Sequence, residues 1–223
     1  MNNSVSNLTN ISVVTPIKSN SEIGISARPV KFITLPDGIL DAKLLERVRA
    51  IVQQENCIGC DGRGLSDAIA KKLPYGCLYK DRRRMPPANK FAVPDDRSTP
   101  GTIEVRMPPT ALSGTNAGCP IVINLFAQWG VGAPGKYNRV SPAPPSDSAR
   151  TREYWFRDCL HAIAQINPPL ESIAFPYKIG CGLAGGNWVA YEAMIFDFAA
   201  KCPMTQVIIC KLDDSGKSTK KSS

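Results

Sequence analysis

The sequence predicts an α/β domain with a largely parallel sheet covered by helices on both faces. Three observations carry that prediction. Short apolar runs alternate with segments of helical period, which implies right-handed crossovers. Pro120-Ile-Val-Ile-Asn-Leu-Phe126 is almost uninterrupted in its apolar character, as a central parallel strand covered on both faces must be. Two strand–glycine loop–helix passages occur, at residues 50–72 and 173–201.

Taken in order, residues 1–28 are rich in Ser and Asn without a sustained period and read as a flexible arm ahead of one domain spanning 29–212. Val30-Lys-Phe-Ile-Thr-Leu35 is a strand closed by the turn signal Pro36-Asp37-Gly38. Leu40, Leu44, Leu45 and Val48 predict a helix over 39–49, and Ala50-Ile-Val-Gln53 a short buried strand. After the loop Gly59-Cys60-Asp61-Gly62-Arg63-Gly64, a helix runs from Leu65 to Lys72 and stops at Pro74; a further short helix is expected within 77–84.

Four prolines make 85–101 an irregular crossing, and Thr102–Met107 alternates like an exposed edge strand. Gln128 to Pro145 is a long Gly-containing loop, and loops of that length usually serve a site. Phe156, Cys159, Leu160, Ile163 and Ile166 form the buried stripe of a helix over 148–166, capped by Ser146 or Ser148 and stopped by Pro168-Pro169. A strand from Ile173, a glycine loop, a helix from Asn187 to about Lys201, and a strand Gln206–Cys210 complete the domain. Residues 213–223 read as a disordered Ser/Lys tail.

Composition excludes several classes. At 223 residues, 43% hydrophobic and 21% charged, the chain has material for one substantial core. No apolar run approaches the roughly 20 residues that span a bilayer, and no basic-then-apolar leader opens the chain, so an intracellular protein, cytoplasmic or nuclear, is expected, with no membrane partner. The eight cysteines are scattered, which favours free buried thiols. Cys57-x-x-Cys60 stands without a second pair and His161 is the sole histidine, so no metal or other cofactor is expected. The net charge of +8 suits an anionic ligand, with a merely solvated basic surface as the bland alternative. Nothing in the pattern of arginines and aromatics argues for nucleic acid.

The loop Gly180–Gly186 carries four glycines in seven residues, where a plain connector needs one. Its peptide N–H groups, and the helix start that follows, suit a phosphate or diphosphate. The first loop, 59–64, is the weaker signal, and convergence of the two on one ligand is a hypothesis. Neither is a dinucleotide fingerprint or a P-loop. Cys181 lacks a neighbouring base and is not read as a nucleophile. Trp129 is the stacking candidate, whereas Trp188 and Tyr191, at helical spacing, are read as core.

Ala50-Ile-Val, Asn56-Cys57 and Gly62-Arg-Gly-Leu-Ser-Asp-Ala-Ile-Ala70, with Phe175-Pro-Tyr-Lys-Ile-Gly-Cys-Gly-Leu-Ala-Gly-Gly-Asn-Trp188, resemble the macro domain family over residues 30–212. The match is closest to its branch of ADP-ribose-1-phosphate phosphatases and terminal ADP-ribose glutamate hydrolases. The resemblance implies a three-layer α/β/α domain with a mixed, largely parallel sheet that binds ADP-ribose or an ADP-ribosyl derivative, including one carried on a modified protein. It places the first phosphate loop on Gly62, Arg63, Gly64 and Leu65. The second falls on Ile179, Gly180, Cys181, Gly182, Leu183, Ala184, Gly185 and Gly186. Asp37 matches the acid that holds the adenine amino group, and Asn56 is placed at the distal ribose. Members that use a lysine–aspartate pair carry the aspartate just after Gly-Cys-Gly-Leu, where this chain has Ala184. Lys90 and Lys136 are both candidates for the lysine. A water oriented by Asn56 or Asp61 is the remaining route to hydrolysis, and a non-catalytic reader is the competing class.

Overall fold

The computed structural model describes residues 30–86, 90–109, 119–140 and 146–215. The expected N-terminal arm, most of the C-terminal tail and the end of the 128–145 loop lie outside them. Ten elements follow one another: β1 Lys31–Leu35, α1 Ala42–Leu45, β2 Ala50–Asn56, α2 Leu65–Lys72, β3 Ile103–Arg106, β4 Ile121–Gln128, α3 Ala149–Ala164, β5 Ser172–Pro176, α4 Trp188–Lys201 and β6 Gln206–Leu212.

The strands form one six-stranded sheet in the order β1-β6-β5-β2-β4-β3. All pairs are parallel except β3 with β4, which puts the antiparallel strand at an edge. β4 is buried along its whole length, as its apolar run requires, and its one interior polar residue, Asn124, accepts from Gln53 Nε2 at 2.7 Å. α3 and α4 pack on one face through Phe156, Leu160, Ile163, Ile195 and Phe198. α1, α2 and the Gly38–Leu40 turn close the other face through Ile39, Leu44, Leu45 and Ile69. A third cluster, around Ile58, Tyr79, Phe126 and Trp129, lies under the loops at the carboxyl end of the sheet.

Most elements match the sequence expectation. Ser148 caps α3 by accepting from Thr151 N at 3.0 Å, and Asn187 caps α4 by accepting from Val189 N at 3.1 Å. The expected helix over 39–49 is instead a 3₁₀ turn, Gly38–Leu40, and a single α turn. Asp41 separates them: its backbone is extended, and its side chain caps Lys43 N. The short helix expected within 77–84 is only the 3₁₀ turn Tyr79–Asp81. β2 runs three residues further than its apolar stretch, because its polar end is buried at the site described next. No helix among the described residues is long and apolar enough to cross a membrane. All eight cysteines are free thiols.

Candidate functional site: a cleft between splayed strands

β2 and β5 pair only at Ala50–Ile173 and Ile51–Ala174, then diverge towards their carboxyl ends. From this point the sheet extends through β5, β6 and β1 on one side and through β4 and β3 on the other. A strand-order reversal of this kind leaves a crevice outside the carboxyl ends, the usual ligand position in open α/β sheets. A cleft of about 360 Å³ occupies it, with the end of β2 as floor and the two glycine loops as walls.

The second loop is shaped by two glycines that admit no substitute. Gly180 has φ +70°, and a Cβ there would collide with Gln54 Oε1 and the Tyr191 ring; one on Gly186 would come within 2.7 Å of Gly180 O. Gly182 differs, since a Cβ would meet nothing within 4 Å and would project into open space. The N–H groups of Gly182, Leu183 and Ala184 have no hydrogen-bond partner among the described residues, whereas those of Gly185 and Gly186 are used inside the loop. On the opposite wall, Gly64 (φ +60°) precedes α2 without a side-chain cap, so the first amides of that helix are open as well. The unbonded backbone donors of the second loop are therefore those of residues 182–184; the start of α4 is already capped by Asn187. Arg63 and Lys178 add positive charge at the rims, Lys178 with φ 58°.

Arg152 holds the loops together. It is 2% exposed, pairs with the fully buried Asp147, and donates to the carbonyls of Gly132 (2.7 Å) and Ala184 (3.1 Å). Longer contacts reach Gly130 and Ala133.

The floor holds a carboxyl group that the sequence reading passed over. Glu55 lines the cleft yet is only 3% exposed, and it sits where the β2–β4 register shifts between Gln54 and Asn56. A bulge of this kind re-aims side chains. Tyr79 Oη donates to Glu55 Oε2 and accepts from Asn56 N (3.2 Å) and Asn56 Nδ2 (2.7 Å). Burial pushes the Glu55 carboxyl up to about 8, with the Tyr79 hydrogen bond and the Arg82 charge acting in the opposite direction.

Among solved structures, this architecture is similar to the macrodomain of Mycobacterium tuberculosis DarG, at 18% identity and TM-score 0.54 over 83% of this chain and 99% of that one. It is also similar to the macrodomain of Thermus aquaticus DarG, at 18% identity and TM-score 0.52 over 81% and 98%. The chain has the macrodomain fold. No family model and no curated protein matches the sequence.

Within this fold the structure brings Asn56, Asp61, Arg63, Gly64 and Leu65 to the same cleft as Ile179, Gly180, Gly182, Leu183 and Ala184. The two loops, separated by more than a hundred residues, thus converge. Gly62, Cys181, Gly185 and Gly186 belong to the same loops but do not line the cleft. Cys181 Sγ contacts Ile179 O at 3.2 Å, and burial pushes its thiol up to about 11, far from a thiolate at neutral pH. Asp37 does not line the cleft: it is exposed at the end of β1, and β6 stands between that strand and β5.

Trp129 is not a stacking surface. It is 4% exposed, packed in the third cluster, and its indole N–H donates to Tyr137 O at 3.2 Å. Two aromatic side chains line the cleft: Tyr79, buried at its floor, and the more exposed Tyr177, set edge-on against Trp188 with 5.0 Å between centroids. Lys90 and Lys136 both approach Tyr137, with Lys90 Nζ 3.3 Å from its hydroxyl. Lys90 borders a small recess that continues from the cleft past Asn56 and Asp61; Lys136 does not. The two water-orienting candidates are already engaged. Asn56 Oδ1 accepts from Gly59 N while its Nδ2 donates to Tyr79, and Asp61 pairs with Arg84, which holds its carboxyl below the usual range.

Proposed function

We propose that the cleft binds ADP-ribose by its diphosphate and hydrolyses a derivative of the distal ribose, ADP-ribose-1-phosphate or an ADP-ribosyl ester. The observation that carries this reading is the convergence of two amide-lined glycine loops on one crevice between splayed parallel strands. Open N–H groups at residues 182–184 face the uncapped start of α2 across a gap flanked by Arg63 and Lys178, an arrangement suited to a diphosphate. Asn56 and the recess beyond it then fall at the distal ribose, where the group to be removed is attached. An ADP-ribosylated protein offers the same end group as the free nucleotide, so the modified protein is a candidate partner.

A second reading is favoured by Ala184. A buried alanine stands where the resemblance places an acid in lysine–aspartate enzymes, which suits a module that recognises ADP-ribose without turning it over. Nucleic-acid binding through the basic surface is the weaker third reading, and predicts affinity that falls steeply with salt.

Calorimetric titration with ADP-ribose tests the binding claim, and the variant Gly182→Glu tests the site. The side chain at 182 has room in the folded protein but enters the cleft with a negative charge, so thermal stability should stay close to wild type while affinity drops at least about tenfold. Binding untouched by this substitution would sink the assignment. Phosphate release from ADP-ribose-1-phosphate then separates enzyme from reader.

A further inference from the structure

We propose that Glu55 is the general base of this cleft, taking a proton from the water that attacks the distal ribose, from the floor of the same cleft that Ala184 walls without an acid. The inference rests on the ADP-ribose reading above and names the group that would make the domain an enzyme.

Of the two carboxyl groups that line the cleft, Glu55 and Asp61, Glu55 is the buried one. It lies on the floor beside Asn56, turned by the register shift between β2 and β4. The Tyr79 hydroxyl fixes its orientation. Because that oxygen already accepts from Asn56 N and Asn56 Nδ2, its own proton is directed at Glu55 Oε2. The amide of Asn56 cannot be reversed without losing the bond from Gly59 N to Oδ1. Glu55 Oε1 is left without a hydrogen-bond partner among the described residues, on a carboxyl that borders the cleft. Asn56 and Asp61 are unsuited to this part: an amide is not a base at neutral pH, and the Asp61 carboxyl is paired with Arg84, which lowers it.

The charged groups around Glu55 are few. Tyr79 and Arg82 face it from the 79–82 segment, and the Arg82 guanidinium is occupied by the carbonyls of Asn56 (3.0 Å) and Gly59 (2.7 Å) and by Ser98 Oγ (2.7 Å). Arg63, Asp61 and Lys178 stand on the cleft walls. A carboxyl held near 8 is a stronger base than an ordinary one and is still partly ionised at neutral pH, the compromise that suits proton transfer.

In the step itself, water oxygen bonds to C1 of the distal ribose while the C1–O bond to the phosphate or carboxylate breaks. The leaving group departs as an anion with the bonding electrons. Glu55 Oε1 takes one proton of the water and later releases it to solvent.

The test measures kcat on ADP-ribose-1-phosphate from pH 6 to 10, with ADP-ribose affinity followed in parallel. Turnover in the wild type should rise with pH and level off above about 8. Glu55→Gln, which keeps the shape and an acceptor for Tyr79, should lower kcat by about 10²–10⁴-fold while ADP-ribose still binds. Tyr79→Phe removes a donor that stabilises the carboxylate and should move the rising limb to higher pH. Retained turnover in Glu55→Gln, a flat wild-type profile, or an unmoved limb in Tyr79→Phe overturns the proposal. Wild-type protein that binds ADP-ribose without turnover overturns it too and leaves the binding reading standing; no ADP-ribose binding at any pH overturns both.

Discussion

The Glu55 carboxyl keeps its proton in the folded protein up to about pH 8, whereas in an unfolded chain it would lose it near 4.5. Between those values the unfolded state binds fewer protons, so the contribution of Glu55 to stability is greatest below about 4.5 and is lost as pH rises to about 8. The slope is at most about 1.4 kcal/mol per pH unit. Glu55→Gln has nothing to titrate, so its stability relative to wild type should grow steadily from pH 5 to pH 8. Urea unfolding at four pH values checks this; parallel curves for the two proteins would contradict it.

Little of this was legible in the residues alone. Gln53-Gln54-Glu55-Asn56 reads as the polar end of a strand. Three of the four are buried, and what holds the Glu55 carboxyl at the cleft is a register shift against β4 and a tyrosine 24 positions away. Trp129 misled for a related reason: a tryptophan in a glycine-containing loop looks available until Tyr137 O and the cluster beneath it are seen to hold it.

At the scale of elements, the glycine loops were readable because their chemistry is local. Strand, glycine run and helix cap follow one another within 15 residues, and each constraint acts on its own neighbours. The two tightest constraints differ in kind, which a pair of substitutions exposes. Gly180→Ala places a Cβ against Gln54 and Tyr191 at positive φ and should cost about 1–3 kcal/mol. Gly182→Ala should leave stability nearly unchanged. Thermal unfolding of the two variants side by side measures the contrast, and equal losses would refute it. The 39–49 segment shows the limit of local reading: four apolar residues at helical spacing were real core residues, but Asp41 split the helix by capping its own second half. Periodicity reported burial correctly and continuity wrongly.

Over the whole molecule, alternation of strands and helices was enough for the parallel sheet and its two helical layers, because crossover geometry leaves few alternatives. Strand order was not legible, since it depends on which faces meet, and with it went the splay of β2 from β5 that creates the cleft. The sheet also sets a gradient of protection. β4 is buried throughout and flanked on both sides, whereas β1 is an edge strand with most of its residues exposed. Amide hydrogen exchange should therefore be slowest in Ile121–Gln128 and Ala50–Asn56 and markedly faster in Lys31–Leu35. The reverse order would mean that the sheet opens from its centre.

Arg152 carries a consequence for how a ligand would be received. Its guanidinium binds Asp147 and the carbonyls of Gly132 and Ala184, so the segment after β4 and the second glycine loop are fastened to α3 by the protein's own contacts. The rotational freedom of those backbones is surrendered during folding rather than at the moment of association. A ligand entering the cleft would meet loops already fixed in place, and more of its contact energy would remain as affinity.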